Sequence, residues 1–289
     1  MQSSTPSGAR RSTWTCPTCR ADISTPFCAT CGEHPLKPEE LTLRGLLKTV
    51  IEVFSNIDSK LLRTVRAVAF RPGHLTLAFM QGVRKPYIGA IQLFLVANVL
   101  FFAVQSFTAM KVFSSDLAFR LKGQLWSEFG QDLVDARLAE TGRTFAEYAP
   151  VFDHAVAVNA KSLIGLMVLP FALAPLIVFW RRHKPLAAHV VFSLHFYAFL
   201  LLLLCVPLVG VLIDRLLFGG TGVLSQRNDD IMSVMLLTAC GVYLYAAIGP
   251  AYDAKGIPRL IQALLLVTAA MWIFFGYRFA LLPITLYTT

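Results

Sequence analysis

Charge is scarce in this chain: of 289 residues only 15% are Asp, Glu, Lys or Arg, against about 25% in an average soluble protein. Too few polar side chains are present to clothe a soluble globule of this length, because 56% of the residues are apolar and the mean hydropathy is +0.61. Disorder, a collagen-like chain and an ordinary soluble domain are therefore excluded, and an integral membrane protein is expected. Acids are scarcer than bases, 17 against 26, which leaves a formal charge of +9. Other absences narrow the function. The chain has no glycine-rich phosphate loop, no zinc-protease His-Glu pattern, no Gly-x-Ser-x-Gly elbow and no close acidic pair within an apolar run, so the case for an enzyme is weak. No internal repeat is visible, which argues against a transporter built from inverted halves. Residues 1–15 read as a disordered, Ser/Thr-rich start without the apolar core of a signal peptide. Arg10 and Arg11 form a twin pair, but Cys-rich polar sequence follows them, so export by the twin-arginine route is not expected.

The apolar residues collect into five runs, 87–110, 162–180, 189–213, 231–251 and 260–282. A helix needs about 20 residues to cross about 30 Å of hydrocarbon. The runs lack the alternation of a β-barrel strand, so an all-α bundle of about five spans is predicted over residues 86–289. Basic residues sort by loop. Residues 1–86 carry 12 Lys/Arg and 6 Asp/Glu, and the link 181–188 carries three bases and no acid. The link 252–259 has Lys255 and Arg259 against Asp253. On the other side, 111–161 has six bases and seven acids, and 214–230 has two and three. The positive-inside bias then puts the N-terminus in the cytoplasm and the C-terminus outside a bacterial inner membrane. The loop 111–161 is too long for a bare connector and is expected to hold short extracytoplasmic helices. One of these starts at Thr144, which has capping-box spacing to Glu147. Pro170, Pro175, Pro207 and Pro250 are expected to kink the spans.

Four of the six cysteines fall in one short polar stretch, as Cys16-Pro-Thr-Cys19 and Cys28-Ala-Thr-Cys31. Two residues between cysteines let one tight turn aim both thiolates at one ion, and two such knuckles complete a tetrahedral shell. Residues 16–34 are predicted to be a zinc ribbon, with Gly32 taking the positive-φ position after the second knuckle. So short a segment buries no useful core, so the metal supplies its folding energy. Iron is the alternative occupant, although rubredoxin-type sites usually separate their knuckles further. A disulfide needs an oxidising compartment, which the charge pattern does not give. Four thiolates leave no open coordination position, so the site reads as structural. Cys205 and Cys240 lie in apolar runs and read as small fillers.

Between the ribbon and the first span, 41–85 reads as two basic amphipathic helices. Leu43, Leu46, Leu47, Val50, Ile51 and Phe54 form one apolar stripe. The second helix starts near Asp58, with Leu61, Leu62, Val65 and Val68 opposite Lys60, Arg63 and Arg66. Such helices lie in an anionic inner-leaflet interface or dock on the bundle. Contact with membrane lipids is expected and nucleic acid is not, because topology already accounts for the charge. Four further features, Thr64, Arg71-Pro72-Gly73, Gly82-Val83-Arg84 and Tyr87, together with the cysteine ribbon, resemble an uncharacterised bacterial membrane family, domain of unknown function 3667. The stretch His189–Phe199 resembles a His-rich segment of the same family. Members often carry an acid before the first His and a further His near its end; Ala188 and Tyr197 stand at those positions here. The resemblance implies a membrane location and a zinc ribbon, with no established activity.

Polar side chains inside the runs are the remaining candidates. Asn98 and Gln105 nearly share a helix face and suit packing contacts between helices or a solute path. His189 and His195 are six residues apart, about 120° around and about 9 Å along a helix, so that pair alone does not hold one metal ion. His195 lies deeper, where an ionisable group is a functional candidate, with Tyr243, Tyr245 or Arg278 as candidate partners. Arg84 and Tyr87 complete the candidate set. Two functions follow. The first is an interaction or assembly factor whose ribbon docks a cytoplasmic protein. The second is a small-solute or ion transporter with His195, Asn98 and Gln105 near its path. A homo-oligomer is left open.

Overall fold

A computed structural model describes residues 13–35, 60–108, 112–113, 115–122, 126–219 and 229–289. The first stripe of the basic belt and Asp58 lie outside the described residues. A two-stranded antiparallel ribbon comes first, with β1 (Trp14–Thr15) paired to β2 (Asp22–Ile23) in the register Trp14 to Ile23. Among the described residues the later elements are helices: α1 Lys60–Phe70, α2 His74–Met80, α3 Ala90–Ser106, α4 Leu117–Arg120, α5 Ser127–Thr141, α6 Phe145–Leu163, α7 Val168–Val178, α8 Leu186–Phe218, α9 Asp229–Tyr252 and α10 Gly256–Thr288.

Among the described residues, four helical stretches are long and apolar enough to cross a membrane: Phe145–Val178, Leu186–Leu217, Met232–Tyr252 and Gly256–Thr288. The apolar α3 is shorter, at 17 residues. Its first turn is closed by the Gly89 amide donating to Gln92 Oε1 (3.0 Å), its Leu93, Phe94, Ala97 and Phe101 are buried, and the helix packs against α8. The protein is thus a multi-helical membrane-spanning chain with a small cysteine ribbon.

One expected boundary moves. The helix expected in the loop before residue 162 and the span after it are one continuous unit, because a 3-10 turn at Ile164–Met167 joins α6 to α7 without a loop. The capping element at its start is present: the Thr144 amide and hydroxyl both donate to Glu147 Oε2, at 2.9 and 2.8 Å. At about 1.5 Å per residue this unit and α10 each run about 50 Å, some 20 Å more than hydrocarbon thickness. Their surplus lengths meet at the end away from the ribbon. There Tyr277 donates to the Ala160 carbonyl (2.8 Å), Asn159 reaches Thr285, and Tyr148 meets Thr289.

The kinks have partners. Pro250 has no amide to give the Ala246 carbonyl, so that acceptor is left without its helical donor. Arg259, from the first turn of α10, supplies the missing hydrogen bond from Nη2 (3.2 Å) and gives a second from Nε to the Tyr245 carbonyl (2.8 Å). Its guanidinium lies 4.3 Å from the Tyr245 ring centroid. Gly249 makes the room, since a Cβ there would stand 2.7 Å from Arg259 Nη2.

The helix α1 packs by Thr64, Ala67 and Val68. Leu62, expected on the packed side, is instead 76% exposed. The reason is Thr64: its hydroxyl donates to the Lys60 carbonyl (2.8 Å) and accepts the Ile88 amide (3.0 Å). That contact fixes the rotation of the helix and turns Leu62 outward.

Candidate metal centre and buried histidine pairs

The ribbon places four sulfurs together. Cys16, Cys19, Cys28 and Cys31 offer Sγ atoms that all lie within 4.8 Å of one another. Three of the separations are 3.5 Å (Cys16–Cys31), 3.4 Å (Cys19–Cys28) and 3.9 Å (Cys19–Cys31). A disulfide needs about 2.05 Å, whereas a tetrahedron of thiolates about 2.3 Å from a zinc ion has edges of about 3.8 Å. The donor set fits a tetrahedral soft cation. The two knuckles repeat one geometry. In each, the amide after the second cysteine donates back to the first cysteine's carbonyl, Arg20 to Cys16 (2.8 Å) and Gly32 to Cys28 (2.7 Å). Arg20 (φ 60°) and Gly32 (φ 70°) share the left-handed conformation this requires. The sequence flags Gly32; Arg20 at the matching position is unmarked because it is not glycine. A hydrogen bond from the Cys31 backbone holds the Cys28 thiol down at about 6, while burial and the neighbouring thiols push Cys31 up to about 12 and Cys19 upward as well.

Glu33, next to the second knuckle, is only 1% exposed. Its Oε2 accepts the Thr18 hydroxyl (2.9 Å) and the amides of Arg84 (3.4 Å) and Lys85 (3.3 Å). This carboxylate joins the ribbon to the turn that leads into α3, and nothing in the local spacing of the sequence singles it out. Arg84 itself lies with its guanidinium 5.3 Å from the Phe79 ring. Replacing Glu33 by Ala is expected to free the ribbon without unfolding it, since the Cys28 amide bonds the Glu33 backbone carbonyl (2.7 Å) and not the side chain. A hydrogen bond to a charged group contributes about 1.5–3 kcal/mol. Hydrogen exchange at Arg84 and Lys85 should accelerate at least ~10-fold, with metal content unchanged. Unaltered exchange would show that the carboxylate does not hold the two parts together.

The motif residues then brace the same turn. Tyr87 OH meets His74 Nε2 at 3.1 Å, and burial, followed by the Arg71 charge, keeps that imidazole below its ordinary value and so favours its neutral form. Gly73 (φ 76°) lies against α9. This turn and the short helix α2 slot into the bundle, and so Thr76 reaches His195: their Oγ1 and Nδ1 are 2.9 Å apart and both side chains are buried. A second pair joins α8 to α9, with His189 Nδ1 3.0 Å from Tyr252 OH. The Ser193 hydroxyl donates to the His189 carbonyl (2.9 Å).

The partners anticipated for His195 are corrected here. Tyr243 stacks on Phe199 at 3.7 Å, Tyr245 lies under Arg259, and Arg278 lies at the far end against Ser115. Asn98 is half-buried on α3, Gln105 lies in the last turn of that helix, and neither is the partner of His195. Tyr197 is a further site residue. It is 2% exposed, and its hydroxyl has no hydrogen-bond partner among the described residues. Neither Thr76 nor Tyr252 was legible beforehand, because each lies far along the chain from its histidine.

Comparison with curated proteins and with solved structures returns no match. Over residues 58–102, the stretch that runs from just before α1 into α3 and contains the Thr64, Arg-Pro-Gly, Gly-x-Arg and Tyr87 positions, the chain matches the family described as "Protein of unknown function (DUF3667)".

Proposed function

We propose that the protein binds and passes a small polar solute or ion through its helical bundle, with the cysteine ribbon holding a structural zinc at one end. The observation that carries this reading is the buried His195–Thr76 pair, which a short helix outside the spans makes with a residue deep in α8. Non-spanning backbone inserted among membrane helices is tolerated where it is buried in protein or lines a cavity. An ionisable residue at that depth is a candidate for a solute or proton path by default. The His189–Tyr252 pair and the unpartnered Tyr197 hydroxyl add polar groups on the same two helices, α8 and α9. These groups lie in the bundle and not on the ribbon, which favours a solute path over an interaction factor. Zinc is preferred at the ribbon because four thiolates at tetrahedral spacing complete its shell with no redox requirement. Membrane orientation follows the loop charges, with the ribbon in the cytoplasm.

Proteoliposomes carrying the full chain should show flux of at least one solute from a panel of cations, anions and small metabolites. His195→Ala should lower that flux at least ~10-fold, the loss expected when a buried polar partner is removed, with the amount of inserted protein unchanged. No flux across the panel, or equal flux from wild type and His195→Ala, would sink the transport reading.

A further inference from the structure

The far end of the bundle holds a charged cluster separate from the ribbon and the histidine pairs. Arg120, the last residue of α4, is 1% exposed. A guanidinium keeps its proton in a protein, so this is a buried cation. Its Nε donates to the Ser115 carbonyl (2.9 Å) and its Nη1 to the Arg278 carbonyl (2.6 Å). From α10, Arg278 Nη2 donates to the Ser115 hydroxyl (2.6 Å). Two guanidiniums therefore converge on one serine.

Burial, then the Arg278 charge, push Arg120 down to about 10. Among the described residues, Asp153, which also accepts the Leu117 amide (2.8 Å), is the carboxylate whose charge bears on Arg120 and acts against this. Arg120 Nη2 and Arg278 Nε are buried and have no acceptor among the described residues. Both orphaned atoms are donors, so what completes them is an acceptor. The Phe119 and Phe274 rings each lie 5.9 Å from the Arg278 guanidinium and offer it only their π-faces.

We propose that this is an anion site, in which a phosphate or carboxylate group sits between Arg120 and Arg278 and accepts from Arg120 Nη2 and Arg278 Nε. Guanidinium donors match the planar or tetrahedral array of oxyanion lone pairs better than they match a single water. The oxyanion has two sources of the same chemistry: a free anion, or the headgroup phosphate of a lipid. Phe119 is 54% exposed beside the cluster and would meet an acyl chain in the second case.

The test uses full-length protein in a non-ionic detergent. It is titrated with sodium phosphate and, separately, sodium acetate, at ionic strength matched with sodium chloride, and read by thermal unfolding. In parallel, the protein is melted in phosphatidylcholine nanodiscs with and without phosphatidylglycerol. The expected result is a saturable rise in Tm of about 5 °C at a hundredfold excess over Kd. A rise with phosphate or acetate identifies a free anion, and a rise confined to phosphatidylglycerol identifies the headgroup. Arg278→Gln should abolish the rise. Arg278→Lys, which keeps the charge but has no Nε donor at that point, should weaken binding at least 10-fold. A wild-type protein with no saturable shift in any arm overturns the proposal whether or not the variants fold. So does an equal shift in wild type and either variant, the result expected if the anion binds elsewhere on the protein.

Discussion

Changing Cys16 and Cys19 together to Ser is expected to unfold the ribbon completely and to leave the helical bundle inserted. The buried apolar cluster of the ribbon consists of Cys16, Ile23 and Cys28 alone, with Trp14, Ala21 and Cys31 against it. Two of its three members are metal-ligand candidates, so there is no core left to hold the two-residue strands together once the thiolates go. Structural zinc contributes about 10–16 kcal/mol of apparent binding free energy in comparable small sites, all of it folding energy. Backbone exchange over residues 13–35 should rise to the rate of an unstructured peptide, and bound metal should fall to nothing. The bundle keeps its own supports. The Thr64–Ile88 and His74–Tyr87 bonds brace the turn before α3 from the membrane side. Exchange within α8 should therefore be unchanged. Retained protection of the ribbon in the double variant, or under a strong chelator, would show that no metal organises it.

Replacing Gly73 by Ala is expected to be strongly destabilising. The residue has φ 76°, which costs an L-side chain about 1–2 kcal/mol. Its Cβ would stand 2.1 Å from the Ala247 carbonyl oxygen, and both sides of that overlap are backbone. Relief therefore requires α2 to move off α9, which adds an overpacking cost of about 1–3 kcal/mol. A loss of about 3 kcal/mol or more should lower Tm by ~10 °C and reduce the yield of monodisperse protein. Gly142→Ala is the control, since φ is 66° there but nothing lies within 4 Å of the new methyl. It should lose only the conformational part. Similar losses from the two variants would mean that the contact with α9 is not tight.

What the sequence discloses here depends on range. The four cysteines are legible because each knuckle is a local turn, and the spacing within it is set by one metal radius. The apolar runs are legible because a bilayer demands length and composition, and the helices Leu186–Phe218 and Gly256–Thr288 contain the runs read from composition. Thr144 and Glu147 signal a helix start three residues apart, and they make it. The rest is decided by partners distant in the chain. Nothing near His195 indicates Thr76, which is 119 residues away. Arg120 reads as one more loop cation until α10 brings Arg278 over it from 158 residues away. Glu33 reads as a surface acid after a knuckle, and becomes a buried strut only when the turn at Arg84 closes on it. The continuity of α6 with α7 was hidden for another reason. Lys161 and Ser162 mark a polar boundary, which sequence reading equates with the end of an element, although the helix crosses it without a break.

The clasp between Pro250 and Arg259 has a mechanical meaning. A proline near the end of a helix is usually a compliant joint, because the freed carbonyl lets the last turn swing. Here the swing is stopped from the next helix, by a guanidinium that fills the gap and rests on an aromatic face. The α9–α10 hairpin is accordingly braced at its tip. Across the boundary between α8 and α9, His189 meets Tyr252 at 3.0 Å. Since such a bond fails beyond ~3.5 Å, a shear of well under an ångström at that boundary is enough to make or break it.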